Sequence, residues 1–122
     1  METGLTYTSK TVVDESNNAI ALGSGDMPVF ATPAMMALME NAAMKAVKEH
    51  LPEGSTTVGG HIESSHLKPS PIGAEVEATA TLDKIDGRKL YFTVVARQGD
   101  NVIGEGKHLR FIVDRERFLS KL

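Results

Sequence analysis

The segment from residue 30 to 50, FATPAMMALMENAAMKAVKEH, contains a side chain that could do chemistry: Glu40 is a carboxylate in an otherwise apolar run. On a helical wheel, the neighbours of Glu40 within about 60° are all apolar. These neighbours are Pro33, Met36, Ala37, Ala43, Met44, Val47 and Leu51. The charged residues of the segment fall on the other side of the wheel. We therefore predict that Glu40 lies at the centre of the buried stripe of this helix.

A carboxylate at such a position needs a partner. An unpaired ionised carboxylate would cost several kcal/mol, so Glu40 must be paired, protonated or open to a water-filled pocket. Each of these states is chemically useful. The alternative is a structural role, in which Glu40 only anchors a dimer or a neighbouring backbone N–H.

Thr32 is a second candidate because it stands at the predicted start of the helix. Backbone N–H groups and the helix dipole favour a developing negative charge at that end. The simpler role for Thr32 is an N-cap, with Pro33 in the first helical position. Eight residues separate Thr32 from Glu40, which is about 12 Å of helix axis, so both side chains could line one pocket.

The stretch GGHIESSHLKPSP adds two histidines and two glycines. Strand alternation sets His61 and His66 on opposite faces, so only one of them should point inward unless a bulge intervenes. Gly59 and Gly60 mark a place where the backbone comes close to the helix or to a ligand.

The order of elements predicts the fold. A strand at 5–13 and a long loop precede a helix at 33–50, which is followed by strands at about 55–67, 73–82, 90–98 and 101–113. Short connections containing Gly87 and Gly99 make the last three strands an antiparallel meander. One helix cannot cover itself, so we expect an α+β fold in which a curved antiparallel sheet of about five strands wraps a central helix. Such a sheet is buried on one face only and has open edges, which also predicts a dimer.

The length and composition of the chain limit the classes of function that it can have. The length of 122 residues fits a single domain over residues 1–122. Thirteen Lys and Arg against 16 Asp and Glu leave no basic stripe for nucleic acid. The absence of cysteine excludes disulfides and thiolate zinc sites, and the four histidines have no metal-ligand spacing, so no metal is predicted. No apolar stretch approaches the ~20 residues of a membrane span, and a cytoplasmic location is expected.

Three segments carry a resemblance to a known family: VFATPAMMALMENAAMKAV, VGGHIESSHLKPSPIGAEVEATATL and GEGKHLRFIV. Together they resemble the fluoroacetyl-CoA thioesterase group of hotdog acyl-CoA thioesterases, over about residues 29 to 118. The resemblance implies a hotdog fold and hydrolysis of a small acyl-CoA thioester to free acid and CoA. It also implies no cofactor beyond the CoA of the substrate, and a homodimer, with a tetramer of two dimers left open.

The resemblance also implies site residues. Thr32, Glu40 and His66 match the catalytic Thr, Glu and His of the family, and Gly59 and Arg110 match its active-site Gly and Arg. The segment before Thr32 is shorter than the Phe-rich lid of the family and offers only one phenylalanine. That residue, Phe30, and Gly60 complete the predicted substrate-binding set.

A second departure concerns the start of the helix. Pro33 stands where the family has glycine, and proline has no N–H to donate. Any oxyanion contact from the helix start must then come from Ala34 or Met35, or from another segment.

Several roles remain open at this point. Glu40 is either a nucleophile that forms a transient anhydride or a general base on water. Thr32 orients the acyl group or shuttles a proton, and His66 holds the carboxylate or protonates the departing thiolate. Lys68, Lys107 or Arg97 could meet the CoA phosphates. The rival functions are a hotdog hydratase or dehydratase, an acyl-CoA-binding domain without turnover, and a structural dimerisation module.

Overall fold

The computed structural model describes all residues from 1 to 122. In chain order the elements are β1 (Thr6–Val12), α1 (Ala19–Leu22), α2 (Thr32–Lys48), β2 (Ser55–Ser64), β3 (Glu75–Asp86), β4 (Lys89–Gln98), β5 (Asn101–Asp114) and α3 (Arg115–Ser120). The five strands form one sheet in the order β1-β3-β4-β5-β2, with antiparallel pairs throughout. The sheet wraps α2, which contacts β1, β2, β3 and β4. The predicted α+β hotdog fold is confirmed.

The predicted meander is also confirmed, because β4 pairs with both β3 and β5. Gly87 and Gly99 lie at its two turns with φ of 59°, a conformation that glycine adopts without steric cost. The remaining strands pair outward from this centre, β1 with β3 and β2 with β5. Strand β2, which carries the predicted glycines, is therefore an edge of the sheet.

The core lies between α2 and the sheet and contains 17 buried apolar residues. Its sheet side follows the predicted alternation, with Val76, Ala78, Ala80 and Leu82 all buried. Its helix side consists of Met35, Met39, Ala42, Ala43, Ala46 and Val47.

The prediction that Glu40 occupies the centre of the buried stripe is wrong. The face of α2 that packs on the sheet is centred about 100° round the helix from Glu40. The side chain of Glu40 is 42% exposed. The helix is apolar around most of its circumference, and Pro33 and Ala37 remain exposed on the side of Glu40. The helical pattern of apolar residues therefore could not show which apolar face of α2 packs on the sheet of the same chain.

The start of α2 differs from the prediction as well. The helix begins at Thr32, so that Ala31 is the N-cap residue and no side chain caps the helix. Thr32 is thus not the N-cap, and Pro33 follows it instead of opening the helix. The hydroxyl of Thr32 is engaged elsewhere, with His66.

Three further differences are local. Strand β2 ends at Ser64, so His66 lies beyond the strand that was predicted to contain it. The short helices α1 and α3 occupy stretches that were expected to be a loop and a charged tail. Both have an N-cap side chain that accepts from the first turn, Asn18 for α1 and Asp114 for α3. None of the three helices has the length and apolar character needed to cross a bilayer.

Candidate active site

The first cluster of functional side chains lies at the N-terminal end of α2. The hydroxyl oxygen of Thr32 is 2.7 Å from Nδ1 of His66. Burial lowers the pKa of His66, so the ring is neutral at neutral pH and can accept a proton. The other ring nitrogen, Nε2, is buried and has no hydrogen-bond partner within the chain. His61, by contrast, is exposed and does not line the cleft at this cluster; its Nε2 lies 3.6 Å from the carboxylate of Glu63.

A cleft of about 270 Å³ opens beside this pair. Phe30, Thr32 and His66 all line it, so the fold brings these three predicted site residues together. Lys68, one of the cations expected near the CoA phosphates, also lines the cleft. Lys107 does not line it, and its ammonium donates to the hydroxyl of Thr93 on β4.

The helix start has limited capacity to donate to a ligand. The N–H of Met35 already donates to the carbonyl of Ala31. Ala34 and Met35 were the two residues considered for an oxyanion contact. Only the N–H of Ala34 is left for that contact.

The second cluster is centred on Glu40. One oxygen of its carboxylate, Oε2, lies 3.9 Å from Nη1 of Arg110. The side chain of Arg110 is only 8% exposed, whereas that of Glu40 is 42% exposed. Of the three situations considered for Glu40, the fold thus provides an ionic partner on one side and an open surface on the other.

Arg110 is held by three contacts besides this ion pair. Its Nε donates to the hydroxyl of Thr57 at 2.8 Å, and its Nη2 donates to the carbonyl of Thr57 at 3.0 Å. Its Nη1 lies 3.2 Å from Nε2 of His108. Burial lowers the pKa of Arg110 and the carboxylate of Glu40 opposes that shift. The guanidinium is still a cation, since arginine is not deprotonated in proteins.

Gly59 lies directly opposite Arg110 in the β2–β5 pair. A Cβ at this position would be 2.9 Å from Oε2 of Glu40, 3.5 Å from Cε1 of His108 and 3.6 Å from Nη1 of Arg110. The predicted close approach to the helix is therefore confirmed for Gly59. Gly60 differs, because a Cβ there would clash with the ring of Phe111 on the neighbouring strand.

The two clusters are separate within one chain. The carboxylate of Glu40 has its ionic contact with Arg110, while Thr32 and His66 are bonded to each other. Sequence reasoning missed two members of the Glu40 cluster, Thr57 and His108. His108 could have been found, because alternation places it on the same strand face as Arg110. No group of three or more His, Cys, Asp or Glu side chains is arranged to hold a metal ion.

Comparison with known proteins decides the family. The sequence pattern of the fluoroacetyl-CoA-specific thioesterases matches residues 13–116. The chain belongs to this family. Family membership confirms the predicted resemblance and the predicted class of enzyme, a thioester hydrolase acting on acyl-CoA.

Individual relatives agree with this assignment. The fluoroacetyl-CoA thioesterase of Streptantibioticus cattleyicolor is 37% identical over 94 residues, which are 77% of this chain and 68% of that protein. A variant of the fluoroacetyl-CoA-specific thioesterase, solved with fluoroacetate and CoA, superposes with a TM-score of 0.87 at 32% identity, covering 97% of this chain and 99% of the other. A thioesterase superfamily member from Thermus thermophilus superposes with a TM-score of 0.89 at 27% identity, covering 98% and 89%.

Proposed function

We propose that this thioesterase hydrolyses a small acyl-CoA thioester to free acid and CoA, with Thr32, Glu40 and His66 as the catalytic set. One observation carries the proposal: the carboxylate of Glu40 and the guanidinium of Arg110 converge on Gly59, at a point where any larger residue would fill the space. A thioester carbonyl placed there would meet a nucleophile or base and a fixed cation at once.

The chemistry follows from these two charges. Glu40 attacks the thioester carbonyl to give an anhydride, or takes a proton from a water molecule that attacks it. In either route negative charge develops on the carbonyl oxygen, and Arg110 is the nearest cation to Glu40. A cation held in place before the reaction stabilises that charge without reorganising.

The Thr32–His66 pair handles orientation and protons in this proposal. The neutral ring of His66 can accept the hydroxyl proton of Thr32 across their 2.7 Å contact. Once protonated, the ring can give that proton to the departing CoA thiolate. The water molecule that is consumed supplies the hydroxyl of the free acid and returns a proton to Thr32, so the site is regenerated and the hydrolysis balances.

We propose a homodimer as the functional form. The side of α2 that carries Glu40 also presents Pro33 and Ala37 to solvent, and the adjacent strand β2 is an open sheet edge. Apolar helix surface beside an unpaired strand is costly to leave in water. A second copy would cover both, and the proposed mechanism needs it to bring a Thr32–His66 pair to the thioester beside Glu40, because the two clusters are separate within one chain. Size-exclusion chromatography with light scattering tests this point, and a monomer at assay concentration would contradict it.

The acyl group is proposed to be small but not restricted to fluoroacetyl. Phe30 is the single phenylalanine of the segment before Thr32, and it is only 1% exposed because it packs in the core. It is therefore not free to act as a moving aromatic lid. We place the protein in the cytoplasm and expect no cofactor besides the CoA of its substrate.

The test is a panel of acetyl-, fluoroacetyl-, branched and aromatic acyl-CoA thioesters, followed by colorimetric release of free thiol. The chain contains no cysteine and adds no background. Release of thiol from the short esters supports the proposal. Binding by calorimetry without release indicates a ligand-binding domain, and water addition to enoyl-CoA without release indicates a hydratase.

A further inference from the structure

His108 is a buried histidine to which the proposed reaction assigns no step. It lies on β5, two residues before Arg110, and is 2% exposed. The ring of Phe92 packs beside it, with the two ring centroids 6.2 Å apart. A buried imidazole must have hydrogen-bond partners for its nitrogens, and the identity of those partners fixes its role.

The partners determine the tautomer of the ring. Nδ1 of His108 is 2.6 Å from the carbonyl oxygen of His61. A carbonyl can only accept, so the proton is on Nδ1. The register of β2 shifts between Gly59 and His61, and the carbonyl that accepts this bond comes directly after the shift.

The second nitrogen is then an acceptor. Burial is the main cause that lowers the pKa of His108, and the nearby charge of Arg110 lowers it further. The ring is therefore neutral at neutral pH, and Nε2 carries a lone pair. That lone pair faces Nη1 of Arg110 at 3.2 Å.

Nη1 is also the atom of Arg110 that faces Glu40. The other acceptors of the guanidinium are the hydroxyl and the carbonyl of Thr57. All three acceptors are uncharged, so they fix the direction of the guanidinium without neutralising it. The full positive charge remains available to Glu40 and to the space over Gly59.

We infer that His108 is a positioning residue for the thioester hydrolysis proposed above, on which this inference rests. As the neutral Nδ1–H tautomer it bridges the carbonyl of His61 and Nη1 of Arg110. In this way it aims the guanidinium at the carboxylate of Glu40. His108 acts through Arg110 and not on the substrate.

Two substitutions separate the two hydrogen bonds of the ring. His108→Gln can place an amide oxygen near the Nε2 position, which keeps the acceptor for Arg110. His108→Asn can place an amide N–H near the Nδ1 position, which keeps the donor to His61 and loses that acceptor. We expect kcat/KM of the Gln variant to stay within about 3-fold of wild type. We expect that of the Asn variant to fall by about 10- to 100-fold, because small misplacements of a catalytic charge cost that much.

A second background tests whether the effect runs through Arg110. In an Arg110→Gln enzyme, adding His108→Asn should cause no further loss, since the residue that it positions is gone. Thermal unfolding of each variant controls for stability. Equal losses in the Gln and Asn variants, or a full additional loss in the Arg110→Gln background, would overturn the inference.

The tautomer provides a readout that needs no active variant. Nitrogen-15 NMR of the wild-type protein should show His108 neutral and protonated on Nδ1, and protonation on Nε2 overturns the inference even if the variants do not fold. Thiol release distinguishes failure of the proposed function from failure of the role of His108. A wild-type enzyme without turnover overturns the proposed function together with this inference. An active wild type with an equally active Asn variant overturns the role of His108 alone.

Discussion

The two clusters of this thioesterase differ in how their side chains are held. Arg110 is buried and fixed by contacts with Thr57 on β2 and His108 on β5, so its guanidinium is held in one orientation beside Glu40. Thr32 is exposed and has a single hydrogen bond, to a histidine that lies beyond the end of a strand.

The difference matches two kinds of catalytic work. Stabilising a developing charge requires a preorganised cation in a partly dehydrated place, which a pair of hydrogen-bonded strands provides. Passing a proton requires only two groups within hydrogen-bond distance, and small movements do not prevent it. We therefore expect changes in the Glu40 cluster to cost more activity than changes in the Thr32 cluster.

The largest effect is expected for Glu40→Gln. Loss of the nucleophile or base should lower kcat by about 10³-fold or more. The fold should persist because Glu40 is 42% exposed and lies off the core face of α2. Thiol release and circular dichroism measure the two quantities. Glu49→Gln, at the exposed end of the same helix, is the matched control. Near-normal turnover in the folded Glu40 variant would refute its role.

The adjacent residues Gly59 and Gly60 are expected to differ in whether substitution affects activity or stability. Gly59→Ala puts a methyl group 2.9 Å from the carboxylate oxygen of Glu40, and the flexible carboxylate can shift to relieve the contact. We expect about 100-fold lower kcat with little change in Tm. Gly60→Ala meets the ring of Phe111 instead, and should lower the free energy of unfolding by about 1–3 kcal/mol.

Thiol release and thermal unfolding are measured for both glycine variants. If Gly60→Ala lowers activity more than Gly59→Ala at equal stability, the reacting carbonyl does not lie over Gly59.

A smaller effect is expected for Thr32. Thr32→Val removes the hydroxyl that contacts His66 and should lower kcat by about 10- to 100-fold, while Thr32→Ser should recover most of the rate. Thr32 makes no capping bond, so the helix content measured by far-ultraviolet circular dichroism should be the same in both variants. A Val variant as active as the Ser variant would remove Thr32 from the mechanism.

The smallest effect concerns pH. Burial lowers the folded-state pKa of His66 and His108 below their ordinary 6.5. Their contribution to stability is therefore complete above pH 6.5 and is lost as pH falls through the lowered pKa of the folded state. Tm measured between about pH 7.5 and about pH 5 should fall more steeply for wild type than for His108→Gln. Identical slopes would mean that His108 does not titrate in this way.

The sequence predicted those parts of the fold that follow from strong periodicity. Helix α2 and the β3–β4–β5 meander have long regular patterns and clear turn residues, and they were predicted to within a few residues. The helices α1 and α3 were missed because four and six residues are too few to establish a period. The orientation of Glu40 was wrong because α2 is apolar on two faces, and only the assembled sheet selects between them.

The site was predictable in a similar, partial way. The close approach at Gly59 followed from the residue type, whereas Arg110 entered only through the resemblance. Alternation along β5 already places His108 on the face of Arg110, whereas Thr57 depends on which residues of β2 and β5 lie opposite each other. That register includes an irregularity between Gly59 and His61, and alternation along a single strand contains no information about it.

The proposed mechanism requires the thioester carbonyl to lie over Gly59, between Glu40 and Arg110. A crystal structure of the Glu40→Gln variant with an unhydrolysed acyl-CoA would show where the carbonyl binds. We predict a carbonyl carbon about 3–3.5 Å from the side chain at position 40, with the carbonyl oxygen directed toward Arg110. A thioester bound elsewhere, with the space over Gly59 empty, would contradict the mechanism.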